Sequence, residues 1–479
     1  MSHPTLVWFR NDLRLEDNPV LSAAAARGPI IALYINDTSA ANPSAMGGAS
    51  RWWLQEALKD LSQNLAARGG KLVLRQGEPL TIIPELVKAT DTKAVMWARC
   101  YEPALSKRDA KLAEKLTQMG ISCTMHKSFL LHEPETIKTN GGTPFKVYTP
   151  FSKACLTAQQ PEKSLPVPKK IESLDVAGDQ LQDWKLVPSK AVWPAGLGAA
   201  WVPTEAAAQK HVQNFIHNAL VGYKTERDRM DHEGTSRLSP YLHFGQISPC
   251  QLWHTVQLAL AHNPAAQAHA ERYLLEILWR EFSWHLLFHF PHMLNAPLMQ
   301  SFTKFPWHTN ALALKAWQKG QTGYPVVDAA MRQLWQTGWM HNRARMIVAS
   351  FLVKHLLIDW REGMAWFWDT LVDADLGSNT ASWQWVAGCG ADAAPYFRIF
   401  NPILQGKKFD PDGVYVRRYV PELAGVDNDF IHEPWRAPPL VLAGAGVVLG
   451  KTYPYPIVDH AAARARALEA YGAIKADKD

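Results

Sequence analysis

Membrane-length apolar runs are missing from this 479-residue chain. A spanning helix needs roughly 18 or more apolar residues in a row, and even LLFHFPHML (Leu286 to Leu294) is broken by histidine and proline. The N-terminus has no basic stretch followed by an apolar one, so no secretory leader is expected and the cytoplasm is the expected location. Cysteine is scarce. The five residues Cys100, Cys123, Cys155, Cys250 and Cys389 are scattered, odd in number and without CxxC spacing, which argues against a disulfide framework or a zinc site. They read as reduced and mostly buried. Glycine signatures are missing too. No GxGxxG follows the first apolar run, so a nicotinamide fingerprint is not supported, and there is no phosphate loop or hydrolase elbow in the most informative stretch. Internal repeats and low-complexity tracts are also absent.

What is present describes a globular chain of two or three domains, with 47% hydrophobic and 20% charged residues. The formal charge of +6 permits a polyanionic partner without demanding one. Twenty tryptophans are the anomaly, because each buried indole wants a partner for its N–H. From Thr5, the apolar runs TLVWF, IIALYI, KLVLR, AVMWAR and ISCTMH alternate with helical patterns over Arg51 to Ala67, Leu80 to Ala89 and Pro103 to Gln118. Such alternation predicts a doubly wound, Rossmann-like α/β domain with a parallel sheet, over residues 1–130. Periodicity fades from about Ser128 to Pro203 among repeated prolines and lysines, which predicts a surface connector over 131–203. From Thr204, a plausible helix N-cap, an all-α domain is expected over 204–479.

Three stretches carry candidate chemistry. Between Trp335 and Pro402, tryptophans and arginines alternate with carboxylates and an asparagine. Asn342 and Met346 lie one helical turn apart, which fits either a wall for a flat ligand or an aromatic-rich core helix. Near Asp231 to Ser239, hydroxyls and small residues beside Arg237 fit a phosphate-cradling loop or a capped surface turn. Glu276 sits in LLEILW, where a carboxylate either pairs, for example with Arg280 four residues on, or raises its pKa.

Read in series, WMHNRARM, DADLGSN, WQW and APYFRIFNP resemble the photolyase and cryptochrome family, and within it the cyclobutane pyrimidine dimer photolyases of microbial type. The resemblance runs from WFRNDLRLEDNP (Trp8 to Pro19) to PYPIVDHAAAR (Pro454 to Arg464). It implies light-driven repair of UV-damaged DNA with FAD as cofactor. Tyr223, Thr235, Ser236, Arg237, Leu238 and Ser239 match the residues that hold the FAD diphosphate and ribityl chain, and Arg280 matches a flavin-phosphate contact. Arg345 and Asp373 match an ion pair against the isoalloxazine, with Ala374 and Asp375 in the same run, and Asn379 matches the residue beside flavin N5. Glu276 and Asn342 match polar contacts to the dimer, with Trp279, Trp385 and Met346 as its apolar walls. Trp383, Trp360 and Trp307 align with an electron-transfer chain, and Arg227, Arg343 and Arg398 with DNA-contacting positions.

The resemblance also implies an antenna pigment in the α/β domain. Folate-binding members have an Asn-Glu pair shortly after the residues matching Tyr101 and Glu102, whereas this chain has Ala104 and Leu105. A 5,10-methenyltetrahydrofolate held in another way, as in the class III branch, is favoured over a deazaflavin, a flavin or an empty site. Two rivals remain within the family. (6-4) photolyases use histidines where this chain has Asn342 and Met346. Plant photoreceptors of the family typically place aspartate at Asn379, and tyrosine is frequent among cryptochromes at Trp385. A monomer with no obligate protein partner is expected.

Overall fold

The computed structural model describes residues 3–39, 45–188, 193–392 and 397–476. Five strands, β1 (Thr5–Phe9), β2 (Ile30–Asn36), β3 (Leu72–Gln76), β4 (Ala94–Ala98) and β5 (Ser122–His126), form one parallel sheet in the order β3-β2-β1-β4-β5. Continuous apolar runs without alternation are what strands covered on both faces need. Helices α1 (Pro19–Ala25), α2 (Gly48–Ala66), α3 (Pro79–Ala89) and α4 (Pro103–Gln118) make the crossovers. Trp8 pairs in register with Trp97, and both pack with Leu112 and Leu116 of α4. The order reverses at β1, so the carboxyl ends of β1 and β4 flank the switch point at which open α/β sheets bind ligands. There Arg10 pairs with Asp109, and Arg108 pairs with both Asp109 and Asp37. The Arg10 and Arg108 guanidinium groups lie 4.6 and 5.1 Å from the Trp8 ring centre.

The segment expected to be an aperiodic connector contains α5 (Tyr148–Thr157), which buries Tyr148, Phe151, Ser152 and Cys155. Pro150 falls in its first turn, where a missing N–H costs nothing, so the proline that suggested irregular chain is compatible with helix. The chain continues through α6 (Pro194–Ala200), α7 (Glu205–Asn218), α8 (Tyr223–Glu226), α9 (Ser239–His243), α10 (Pro249–His262) and α11 (Gln267–His289). Thr204 caps α7, its side chain accepting from the Ala207 amide. Two compact units result. The first comprises Met1–Pro194, Trp201–Val221 and Ser236–Pro291, so that α11 belongs with the sheet; the second comprises Ala195–Ala200, Gly222–Thr235 and His292–Asp479.

The second unit is helical: α12 (Ala311–Gln318), α13 (Pro325–Thr337), α14 (Asn342–Ser350), α15 (Trp360–Thr370), α16 (Leu376–Ala387), α17 (Pro402–Phe409), α18 (Val414–Tyr419), α19 (Pro439–Gly444) and α20 (His460–Ala476). Its core is built from Trp317, Trp360, Trp383, Phe351, Leu352 and Tyr415 with their neighbours. All five cysteines are free thiols, as expected, but only Cys155 and Cys389 are buried, so the expectation that most would be is not met. No described helix is long and apolar enough to cross a membrane.

Within the first unit, α11 is tied to the chain after β5 by Glu281, whose Oε2 accepts the amides of Leu131 and His132 at 2.9 and 3.0 Å. Burial pushes this carboxyl up to about 7, against those hydrogen bonds and the nearby Arg280 guanidinium. A carboxyl raised above its unfolded value binds a proton more tightly in the folded chain, so stability is lost as pH climbs from the unfolded pKa near 4.5 to about 7. Comparing urea midpoints of the wild type and Glu281→Gln at pH 5 and pH 8 checks this. The glutamine variant should gain relative stability with rising pH, by up to about 3 kcal/mol.

Candidate active site

In the second unit, the stretch singled out from the sequence folds into α14, α15 and α16. His341 caps α14 by accepting the Arg343 amide on Nδ1 at 3.1 Å. Asn342 is then exposed, and Met346, one turn later, is half-buried on the same face. His341 itself is turned inward at 4% exposure. Burial lowers its pKa to about 4, so the ring is neutral at physiological pH with its proton on Nε2. Arg345 leaves α14 to donate to the Met340 carbonyl at 2.8 Å and to pair with Asp373 at 2.7 Å. Asp375 caps α16 by accepting the Ser378 amide at 2.7 Å. Asn379, on the first turn of α16 and 9% exposed, donates to the Met364 carbonyl at 3.1 Å, so its amide orientation is set by α15.

Trp383 and Trp360 are each 2% exposed, and Trp307 lies half-buried at the edge of the same core. Trp383 packs edge-on against Phe367 and Trp317, at 5.0 and 6.3 Å between ring centres. Its indole lies directly on α15 at Gly363, where a Cβ would come within 2.0 Å of the ring. Gly363 follows Trp360 by three residues, so both lie on one face of α15. Two residues on, Trp385 is half-buried and donates to the Asp392 carbonyl at 3.0 Å. Residues 393–396 of the APYFRIFNP motif lie outside the described residues.

Between these indoles stands a residue that sequence reasoning passed over. Gln384 is fully buried; its amide donates to the carbonyls of Met293 and Ala296 at 2.7 and 2.9 Å and accepts the Leu298 amide at 2.9 Å. It fixes the rotation of α16, and with it the opposite headings of Trp383 and Trp385. A glutamine between two tryptophans carries no local signal of this role, because all three partners are remote in sequence.

The first unit holds several of the other candidates. Glu276 pairs with Arg272 at 2.7 Å, one turn before it on α11, a partner the sequence reading had not named. Arg280 donates to the Phe129 carbonyl at 2.8 Å and lies 4.0 Å from that ring's centre. Trp279 is half-buried beside Tyr148, another residue absent from the sequence-based set. In the loop before α9, Ser236 accepts the Tyr273 hydroxyl at 3.0 Å, and Leu238 is buried. Arg237 adopts φ of +52° with its guanidinium 4.6 Å from the Trp201 ring centre. A left-handed non-glycine residue costs of order 1–3 kcal/mol and is retained where surroundings over-determine it. Thr235 and Tyr223 belong to the second unit. There Arg343 and Arg227 converge on Asp228, at 2.7 and 3.8 Å. Arg398 is exposed.

Two buried polar atoms in the second unit, Thr380 Oγ1 on α16 and His341 Nε2 at the start of α14, have no hydrogen-bond partner among the described residues. Buried polar groups are normally satisfied, so α14, α16 and the turn between α15 and α16, which also carry Arg345, Asn379 and Asp373, retain capacity for a polar guest. That donor set, cationic, anionic and neutral amide, fits a large polar cofactor such as a flavin dinucleotide.

Residues 273–473 match the family described as the FAD binding domain of DNA photolyase, and residues 5–169 match the DNA photolyase family. The deoxyribodipyrimidine photo-lyase of Agrobacterium fabrum is 49% identical over 98% of each chain. A bacterial class III photolyase structure from Agrobacterium tumefaciens superposes with a TM-score of 0.96 at 49% identity, covering 99% of this chain and 98% of that one. Cryptochrome-1 of Arabidopsis thaliana is 40% identical over 97% of this chain and 70% of its own. An α/β sheet domain joined to a helical FAD-binding domain defines a flavoprotein of the light-dependent class. The chain belongs to the DNA photolyase and cryptochrome family.

Gly363→Ala tests the seat of Trp383. A methyl group cannot fit against a rigid indole, and overpacking of this kind costs about 1–3 kcal/mol. Thermal unfolding of the variant should shift down accordingly, and its tryptophan fluorescence should change as Trp383 leaves α15.

Proposed function

We propose that this chain is a light-driven DNA repair enzyme, a deoxyribodipyrimidine photo-lyase of the class III branch, that splits cyclobutane pyrimidine dimers. The observation that carries the choice of lesion is the face of α14, where exposed Asn342 is followed one turn later by Met346 while the neighbouring histidine is capped inward and neutral. Splitting a cyclobutane needs no proton relay, and an amide with a thioether offers a hydrogen bond and a soft apolar contact without one. The histidine pair of the (6-4) enzymes is absent.

When bound, reduced FAD supplies an electron to the dimer after absorbing blue light and takes it back, so the reaction has no net redox change. Tyr223, Thr235, Ser236, Arg237, Leu238, Ser239 and Arg280 hold its diphosphate and ribityl chain in this reading, and Arg345, Asp373, Ala374 and Asp375 line its ring. Asn379 offers a neutral amide whose hydrogen bonding suits either protonation state of a ring nitrogen. Photolyases take the damaged base out of the stack; Glu276 and Asn342 contact its polar edges, and Trp279, Trp385 and Met346 wall the pocket. In this reading half-buried Trp307 and the buried Trp360 and Trp383 relay electrons from the surface.

Arg227, Arg343 and Arg398 contact the DNA backbone, which makes binding salt-dependent and largely independent of sequence. The Asp228 pairings orient the first two, and exposed Arg398 is the cleanest to test. Arg398→Ala should weaken binding to all duplexes alike and reduce the slope of log affinity against log salt by about 1. The antenna in this reading is 5,10-methenyltetrahydrofolate in the α/β domain, with a deazaflavin as the alternative, and the protein acts as a monomer. The 40% identity to a plant cryptochrome keeps one rival, a blue-light photoreceptor without repair activity.

One assay separates them. Reduced protein is mixed with oligonucleotides carrying one cyclobutane thymine dimer or one (6-4) lesion, and illuminated samples are compared with dark ones. Light-dependent loss of the cyclobutane dimer alone is expected. Bound flavin with neither lesion repaired overturns the assignment in favour of the photoreceptor.

A further inference from the structure

Tyr148 opens α5 and is 7% exposed. Its ring lies on the Trp279 indole with centres 3.6 Å apart and planes 8° from parallel, a close face-to-face stack and not the offset or edge-on contact aromatic pairs usually prefer. Its hydroxyl donates to the Leu275 carbonyl, which in a regular helix also receives the Trp279 amide. Phe282 meets both rings edge-on, at 5.8 Å from Tyr148 and 5.9 Å from Trp279. From the next turn, Ser283 donates to the Trp279 carbonyl at 2.9 Å. The indole is therefore fixed in plane and tilt while remaining half-exposed.

We propose that Tyr148 is a positioning residue for damage recognition, stacking beneath Trp279 so that the indole forms a pre-oriented platform for the flipped-out dimer. This rests on Trp279 being a wall of the lesion pocket. An indole free to rotate must be ordered when a base stacks on it, and that ordering weakens binding; a side chain already held by Tyr148 and Phe282 avoids most of it. Backbone contacts to undamaged DNA do not involve the platform, so Tyr148 acts on discrimination and not on general affinity.

The test compares Tyr148→Leu, Tyr148→Phe and Trp279→Leu as FAD-loaded proteins. Dissociation constants are measured for duplexes with and without one cyclobutane dimer, along with KM and kcat for repair and the bound flavin per chain. Tyr148→Leu should lower the preference for damaged over undamaged DNA by about 3- to 10-fold through a raised KM, with kcat and flavin content held within twofold. Tyr148→Phe keeps the stacked ring and should stay near wild type. Wild-type preference in Tyr148→Leu together with a lost preference in Trp279→Leu overturns the positioning role. Equal weakening on both duplexes, or loss of flavin, also overturns it, because Tyr148 is then only a structural prop. Unchanged preference in Trp279→Leu is a distinct failure, that of Trp279 as a pocket wall.

Discussion

The ion pair between Arg345 and Asp373 is the contact on which the helical unit's site depends. Asp373 is almost wholly buried, and Arg345 reaches it while also bonding the Met340 carbonyl just ahead of α14. One guanidinium thus joins the start of α14 to the segment that leads into α16. Burying such a pair brings little net stability, since desolvation offsets most of the attraction. Its directionality is what matters, because it fixes the register of the helix carrying Asn342 and Met346 against the helix carrying Asn379.

Further constraints pin α16 along its length. Asp375 caps its first turn, Asn379 binds the Met364 carbonyl, Gln384 makes three hydrogen bonds, and the buried Lys354 donates to the Ala387 carbonyl at 2.7 Å. A helix held by polar contacts at four levels can present Trp383 to the core and Trp385 to the opposite side with little freedom to rotate. Gly363 completes this arrangement by allowing α15 to approach the Trp383 ring.

Much of this was legible beforehand, for identifiable reasons. The central strands β1, β2 and β4 are buried on both faces and have no polar alternation to blur them; the edge strands β3 and β5 are only partly buried, yet all five runs marked their strands to within a residue or two. Thr204 was a readable cap because a cap acts on an amide three residues away. The 128–203 segment was misread as wholly irregular because two short helices, α5 and α6, lie among its prolines, with Pro150 in the first turn of α5. Glu276 was the carboxylate expected to pair or to titrate, and it pairs. Its neighbour Glu281, unremarked in the sequence, is the one raised by burial, because the turn of α11 that faces the interior is set by packing.

The sequence by itself determined the α/β-then-helical order, the motifs that place the chain in its family, and the one-turn spacing of Asn342 and Met346. These are local properties, governed by periodicity and by residue types in series. Tertiary structure decided that Glu276 takes Arg272, that Arg227 and Arg343 share Asp228, that His341 turns inward, and that Gln384 and Tyr148 hold the indoles in place. Each of these choices compares partners that local spacing treats alike or that lie far apart in the chain, and burial and geometry select among them only once the helices have packed.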